Sequence, residues 1–272
     1  MLRKITLLAA TLGLLAAAAA PAMAESNKLE PIDVHWSFEG PFGRYSTPEN
    51  QAQLQRGYKV YREVCSSCHS MKLVSFRNLG DPGGPFWDPK YKNPNDNPKV
   101  KAIAADYQIA DIDTETGDEI KRAGIPADRF PSPFANAYAA KASNGGATPP
   151  DMSLLARARE GGGRYIYSIL MGYNRPVPAD KTINVGQHYN PYMAGGVIAM
   201  PQPIKADQVS FDDGTKSTLD QEAKDVAAFL IWAADPHADD RKNTGTAVLI
   251  YLLIFSGLLY MAYRKVWKNE SH

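Results

Sequence analysis

The sequence predicts a mainly α domain with long irregular loops, carried on one C-terminal transmembrane helix. Three observations lead there. Apolar residues recur at spacings of three and four in several separate segments, the period of amphipathic helices. The 272 residues include 20 prolines and 21 glycines, which punctuate the chain into loops. The run Thr244 to Tyr263 contains no charged residue and, at about 1.5 Å per residue, matches the roughly 30 Å hydrocarbon core of a bilayer. Composition sets the outer bounds. With 44% hydrophobic and 22% charged residues the chain folds, and a formal charge of +1 excludes a polycationic nucleic-acid binder.

At the N-terminus, Arg3 and Lys4 precede an apolar run from Ile5 to Ala20, and Ala22-Met23-Ala24 follows. This is the pattern of a secretory signal, so residues 1–24 are expected to be cleaved. Residues 25–243, without repeat or low-complexity linker, then suit one exported domain. Leu54, Tyr58, Tyr61, Val64 and Cys68 mark a helix from Pro48 to Cys68. Asp151 to Arg159 and Arg164 to Met171 read as two short helices separated by Gly161-Gly162-Gly163. Thr218-Leu219-Asp220-Gln221 has capping-box form; Val226, Phe229, Leu230 and Ala233 line one face of the helix that follows, Pro236 ends it, and it is expected to pack on the first. Strand signals are weak, and Pro82 to Pro98 and Arg175 to Pro203 read as irregular excursions. Arg264, Lys265 and Lys268 follow the apolar run, with Tyr260, Tyr263 and Trp267 beside them. The positive-inside rule puts the 264–272 tail in the cytoplasm and the domain on the periplasmic side of a bacterial inner or intracytoplasmic membrane. Arg241 and Lys242 weaken the asymmetry, but Asp239 and Asp240 adjoin them and the signal requires the same orientation.

The chain has two cysteines, both in Cys65-Ser66-Ser67-Cys68-His69. This is the attachment signature of a c-type haem: two thiols on one turn reach the two vinyl groups while the next residue offers an imidazole to the iron. A structural disulfide at this spacing is strained and reactive. A thioredoxin-like dithiol expects a strand–helix unit around it and has no use for His69, and a zinc site lacks a second ligand pair, since His35, His188, His237 and His272 are scattered. The domain is therefore expected to be a c-type cytochrome with one covalently bound haem c. For a sixth ligand, Met71 is too close to His69, while Met152 and Met171 occupy apolar helix positions. Met193 and Met200 remain; the flanking Gly195-Gly196, Pro201 and Pro203 favour Met200 for its local stiffness, with His188 as a bis-His alternative.

Further segments carry a resemblance: Trp36 to Gly40, Arg56 to Tyr61 running into Cys65 to Met71, Asn144 to Arg159 with Pro149-Pro150-Asp151, Tyr189 to Tyr192, Ala199-Met200-Pro201, Phe211 to Gly214 and Ala223 to Val226. Across most of the mature chain the sequence resembles the cytochrome c1 family, the haem-bearing subunit of the cytochrome bc1 complex (quinol:cytochrome c reductase). The resemblance implies thioether bonds at Cys65 and Cys68, His69 and Met200 as iron ligands, and pocket roles for Asn144, Ala147, Pro149 and Pro150. It also implies an Arg159 placed to pair with a propionate, although a solvated helix charge is the alternative because Arg157 lies two positions away. The chain departs from some relatives at Met193, where an aromatic can occur, and lacks an additional cysteine pair that some bacterial members carry. Without that bridge the source of stiffness in the Met200 loop is open.

The function implied is one-electron relay from a Rieske iron–sulfur protein to a soluble c-type cytochrome, alongside cytochrome b, in a dimeric complex. The chain is then not an enzyme on its own but part of a ubiquinol–cytochrome c reductase, and no catalytic acid or base is expected. Asp106 to Glu119 carries six acidic residues and no Lys or Arg, which suits docking of a basic acceptor or simply a solvated loop; Asp207 to Asp225 is a second candidate. Rival readings are a membrane-anchored cytochrome donating to a terminal oxidase, a haem-based ligand sensor and a disulfide oxidoreductase.

Overall fold

A computed structural model describes residues 28–269; the expected signal segment lies outside the described residues. Helix α1 spans Pro48–Glu63, with Thr47 as its cap accepting from Asn50 N and Pro48 pre-set for the first turn. It buries Leu54, Tyr58, Val60 and Tyr61. The α-helix stops earlier than the apolar spacing predicts, because the chain tightens into a 3-10 turn at Cys65–Ser67. Ser66 Oγ and Ser67 Oγ donate to the carbonyls of Arg62 and Val64, giving the last turn of the helix the partners it would otherwise lack.

Helices α2 (Pro98–Ala105) and α3 (Ala137–Ser143) are short; α4 (Leu155–Ala158) is a single turn. Helix α5 covers Gly162–Met171 and α6 covers Leu219–Ala233, started by Thr218 Oγ1 accepting from Gln221 N at 3.1 Å, as the capping pattern predicts. Helices α1 and α6 form the centre of the fold. Their approach is close: a Cβ at Gly57 would lie 2.0 Å from the Asp225 carbonyl oxygen, so no other residue fits there. At the crossing Arg56 Nε donates to the buried Asp225 carboxylate at 2.6 Å. Rings of Tyr58, Tyr61, Phe130, Phe229 and Trp232 pack around this contact with centroid separations of 5.4–6.5 Å. Helix α5 lies on the other side of α6, where a Cβ at Gly163 would meet Ile231 at 2.3 Å. The three glycines therefore do not all break the chain as expected: Gly161 turns it at φ +82°, and Gly162 and Gly163 already belong to α5.

The Pro82 to Pro98 excursion is irregular and lies along α1, whose Gln51 and Gln55 donate to the carbonyls of Trp87 and Pro85, each at 2.6 Å. Two small antiparallel ladders occur. Strands β1 (Gln108–Ile112) and β2 (Glu119–Ala123) form a hairpin, and β3 (His188–Tyr189) pairs with β4 (Val197–Ile198). The first ladder shows no alternating apolar pattern in the sequence, because Ile109, Ala110 and Ile112 do not recur at every second position and most of its residues are exposed, with Ile109 half-buried against the core.

Helix α7 runs unbroken through Ala238–Val266, beginning inside the domain six residues before the apolar run. Its apolar stretch is exposed on every side, as a bilayer-spanning helix requires, and is long enough to cross. The described residues are thus mainly helical, with little strand, long loops and, among them, one membrane-length helix.

Candidate haem site

The turn that ends α1 presents the attachment motif. His69 N and Cys68 N both donate to the Cys65 carbonyl, at 2.9 and 3.1 Å, which curls the two cysteines and the histidine around one turn. Neither cysteine is in a disulfide. Burial, with the neighbouring Cys68 adding to it, pushes the Cys65 thiol up to about 12. A redox-active dithiol needs the opposite shift, so this environment argues against the disulfide-oxidoreductase reading.

His69 is buried and its Nδ1 lies 2.8 Å from the carbonyl oxygen of Pro150. A carbonyl only accepts, so Nδ1 carries the proton and Nε2 keeps its lone pair for a metal. Burial also lowers the imidazole's proton affinity below the usual histidine range, against the pull of the Pro150 bond and of Asp151, which favours the neutral form that ligates iron. The residues after His69 are stitched to those after Pro150. Asp151 Oδ2 accepts from Ser70 Oγ at 2.8 Å and from Lys72 N at 2.9 Å, Ser153 Oγ accepts from Leu73 N at 3.0 Å, and Met152 N donates to the Ser70 carbonyl at 2.8 Å. Burial would raise the Asp151 carboxyl, but these donors, led by Lys72 N, hold it below its ordinary range. Asp151 and Ser153 spend their side chains here, which is why the helix expected from Asp151 shrinks to α4.

Of the other expected pocket residues, Asn144 caps α3 through Nδ2 to the Ala140 carbonyl at 2.7 Å, and Ala147 N bonds to the Asn144 carbonyl. Asn144, Ala147 and Pro149 are half-buried and lead directly into Pro150. Arg157 and Arg159 separate cleanly: Arg157 pairs with Asp235, whereas Arg159 is exposed and, among the described residues, its guanidinium donates to the carbonyl of its own neighbour Ala158.

Met200 follows β4 and is half-buried. The fully buried Asn190 fastens this loop to α5: its Nδ2 donates to the Ile169 carbonyl at 2.7 Å, its Oδ1 accepts from Tyr192 N, and its backbone N–H reaches the Gly196 carbonyl. Tyr173 OH then donates to the Met200 carbonyl at 2.9 Å. These bonds are a source of stiffness that needs no disulfide. The rival thioether, Met193, accepts a hydrogen bond from Tyr165 OH at 3.4 Å, and His188 is tied into the β3–β4 ladder opposite Ile198. Met152 is buried in the core as expected, although it lies in the turn before α4 and not in a helix. An open cavity of about 530 Å³ flanks the Met200 loop, lined by Tyr173, Arg175, His188, Gln202 and Lys205 among others, and none of Cys65, Cys68 or His69 reaches it.

One continuous segment therefore serves both sides. Its Pro150 end bonds the ring of His69, and its Tyr173 end, past α4 and α5, bonds the backbone of Met200. The donor set fits a haem: two unpaired cysteine sulfurs, a neutral imidazole with one nitrogen left over, and a thioether on a braced loop.

Residues 36–270 match the family model described as the cytochrome C1 family. The chain belongs to the cytochrome c1 family. It is 42% identical over 269 residues to "Cytochrome b/c1" of Bradyrhizobium diazoefficiens, covering 92% of this chain but spanning 37% of that longer protein. It is 41% identical to cytochrome c1 of Rhodospirillum rubrum, covering 87% of each, and 40% identical to cytochrome c1 of Blastochloris viridis over 98% of this chain and 96% of that one. As a cytochrome c1 family member it is a haem-binding protein of electron transport with one membrane-length helix. Sequence reasoning alone missed Asp151, Tyr173 and Asn190 as supports of the cytochrome c1 site; the first lay next to the Pro149-Pro150 pair, Asn190 lay inside the Tyr189 to Tyr192 segment, and Tyr173 carried no local signal.

Proposed function

We propose that this chain is the haem subunit of a cytochrome bc1 complex, carrying one haem c bound covalently through Cys65 and Cys68 and ligated by His69 and Met200. The observation that carries the reading is His69: its Nδ1–H is committed to Pro150, beside two unpaired cysteines, which leaves Nε2 for iron. The haem, when bound, supplies a one-electron couple. The Pro150 carbonyl fixes the imidazole tautomer and makes the ring a stronger donor. Asp151 holds the turn behind His69, the Met200 thioether raises the potential, and Arg159 is available to a propionate. Asn144, Ala147 and Pro149 wall the same side.

The chain's electron donor in this reading is a Rieske iron–sulfur protein and its acceptor a soluble c-type cytochrome, with cytochrome b as its membrane neighbour in a dimeric complex. The name of the Bradyrhizobium relative, which joins b to c1, supports the last pairing. Docking of a basic acceptor rests on the β1–β2 hairpin, though with less charge than the sequence suggests. Asp106 pairs with Arg62 and Asp111 with Arg122, and the half-buried Asp113 accepts from Glu115 N and Thr116 N, leaving Glu115, Asp118 and Glu119 exposed around the turn. In the second acidic stretch Asp212, Asp213, Asp220 and Asp225 all have partners within the domain, so the hairpin is the better candidate. The domain layout follows: a signal of residues 1–24, a periplasmic domain of 25–243, a span of 244–263 and a cytoplasmic tail of 264–272.

The test is to purify the native chain gently from membranes and count covalent haem, b-type haem and Rieske signal per chain. All three together are expected; one covalent haem with oxidase copper, or alone, would discard the assigned complex. In the same preparation Met200→Leu should keep the haem but lower its potential and admit carbon monoxide. An unchanged potential removes Met200 from the ligands.

A further inference from the structure

The loop Gly40–Arg44 is bound to the first turns of α7 immediately before the apolar run. Lys242 Nζ donates to the carbonyls of Phe38 and Gly43 at 2.9 and 2.8 Å. Arg44 donates through Nε and Nη2 to Asn243 Oδ1 at 3.2 and 3.1 Å, and through Nη1 to the Pro41 and Gly43 carbonyls at 2.9 Å. Asp239, one turn earlier, accepts from Tyr45 N and Ser46 N at 3.0 and 3.1 Å. The apolar run starts at Thr244, one residue beyond the Arg44 contact. The loop thus lies against one face of the helix, since Asp239, Lys242 and Asn243 are three and four residues apart, at the level where hydrocarbon gives way to headgroups.

Three aromatic residues occur around this loop and they do different things. Phe38 and Tyr45 turn inward and pack on each other at 4.9 Å between centroids, whereas Phe42 is 83% exposed. Its exposure is built in by the turn: Gly40 sits at φ +74°, and a Cβ on Gly43 would lie 2.4 Å from the Glu39 carbonyl oxygen. In sequence the ring stands between Pro41 and Gly43, with Glu39 and Arg44 just beyond, and it is the only aromatic side chain of the loop, so it does not resemble the centre of a protein–protein interface. Membrane proteins place aromatic rings at both boundaries of the bilayer. At its C-terminal end α7 carries Tyr260 and Tyr263, with Trp267 directly after it; at its N-terminal end, from Ala238 to Ile250, it carries no aromatic residue. The missing ring of that boundary is on the loop.

We propose that the Gly40–Arg44 loop is a second membrane contact, with Phe42 seated in the phospholipid interface and the Arg44 charge at headgroup level. The contact is independent of which side of the membrane the domain occupies. It fixes how deeply the domain sits, because ring and helix boundary are joined by the Lys242 and Arg44 bonds.

The test uses the full haem-loaded chain in its native membrane, with the photo-reactive substitution Phe42→p-benzoylphenylalanine. The same substitution is made at Leu253 in the span and at Ile112 in the β1–β2 hairpin, all three side chains being exposed. After illumination, phospholipid adducts on each position are counted by mass spectrometry. The yield at position 42 is expected to be within about threefold of that at 253 and roughly tenfold above that at 112, as an interfacial ring would give. Adducts to a neighbouring protein subunit, or a lipid yield no higher than at position 112, overturn the proposal while the span stands. Absence of lipid adducts at both 42 and 253 overturns it together with the span.

Discussion

His69 leaves the end of a 16-residue helix in a 3-10 turn and is met within five residues by a cluster of hydrogen bonds from Pro150, Asp151 and Ser153, whereas Met200 follows a two-residue strand inside a long excursion. The first flank is redundant: several bonds of moderate strength join the same two stretches of chain. The second depends on two residues, Asn190 and Tyr173, that reach it from elsewhere. Where many bonds share the task, losing one leaves the others; where two carry it, each matters more.

That difference can be broken experimentally. Asn190→Ala should have the largest effect, about 3 kcal/mol of unfolding free energy, because it takes the partner from the Tyr192 N–H, leaves the buried Ile169 carbonyl only the longer bond from Gly172 N, and opens a cavity. Urea unfolding of the haem-loaded protein measures it. Asp151→Ala removes three hydrogen bonds, but the carboxylate is itself half-buried and one of its donors, the Lys72 amide, belongs to an exposed residue, so about 2 kcal/mol is expected. Hydrogen exchange at the Lys72 and Ser153 amides should rise with it. Tyr173→Phe deletes one hydroxyl bond to the Met200 carbonyl and should cost about 1 kcal/mol. If Asp151→Ala proves costlier than Asn190→Ala, the contrast between the flanks fails.

The hairpin, outside both flanks, supplies the smallest effect and a reference. Hydrogen bonding from Arg122 holds the Asp128 carboxyl below its ordinary range, against burial and with help from Ile125 N. A depressed carboxyl stabilises the fold above its unfolded value, near about 4, and that contribution is lost as pH falls through the lower folded value. Exchange of the β1–β2 amides should therefore accelerate below about pH 4, while α1 stays protected.

What the sequence made legible follows the range of the interactions involved. The Thr218 cap, the α1 and α6 faces, the membrane-length helix and the Cys65–His69 motif are all written in residues a few positions apart, and the structure has them. The β1–β2 hairpin was hidden because its apolar residues, Ile109, Ala110 and Ile112 on β1 and Ile120 and Ala123 on β2, do not recur at every second position, although Ile109 packs on the core. Gly162 and Gly163 read as breakers because their use, the close approach of α5 to α6, is set by Ile231 far along the chain. The acidic run looked uniformly free because Arg62 and Arg122 lie outside it. For the candidate site, residue-level reading left Met193 and His188 beside Met200; the Tyr165 bond to Met193 and the ladder around His188 are contacts that only the folded chain provides.

The unbroken passage from domain into α7 has a further meaning. Asp239, Lys242 and Asn243 bond the helix to the 38–46 segment on successive turns, and Asp235 binds Arg157 and Arg241 just before it. A domain hung from a supple linker would sweep a hemisphere above the bilayer and would have to be immobilised each time it met a neighbour. Here the chain has no joint at which to swivel. Its orientational entropy is surrendered when it folds, so lateral encounters in the membrane begin with the domain already aimed.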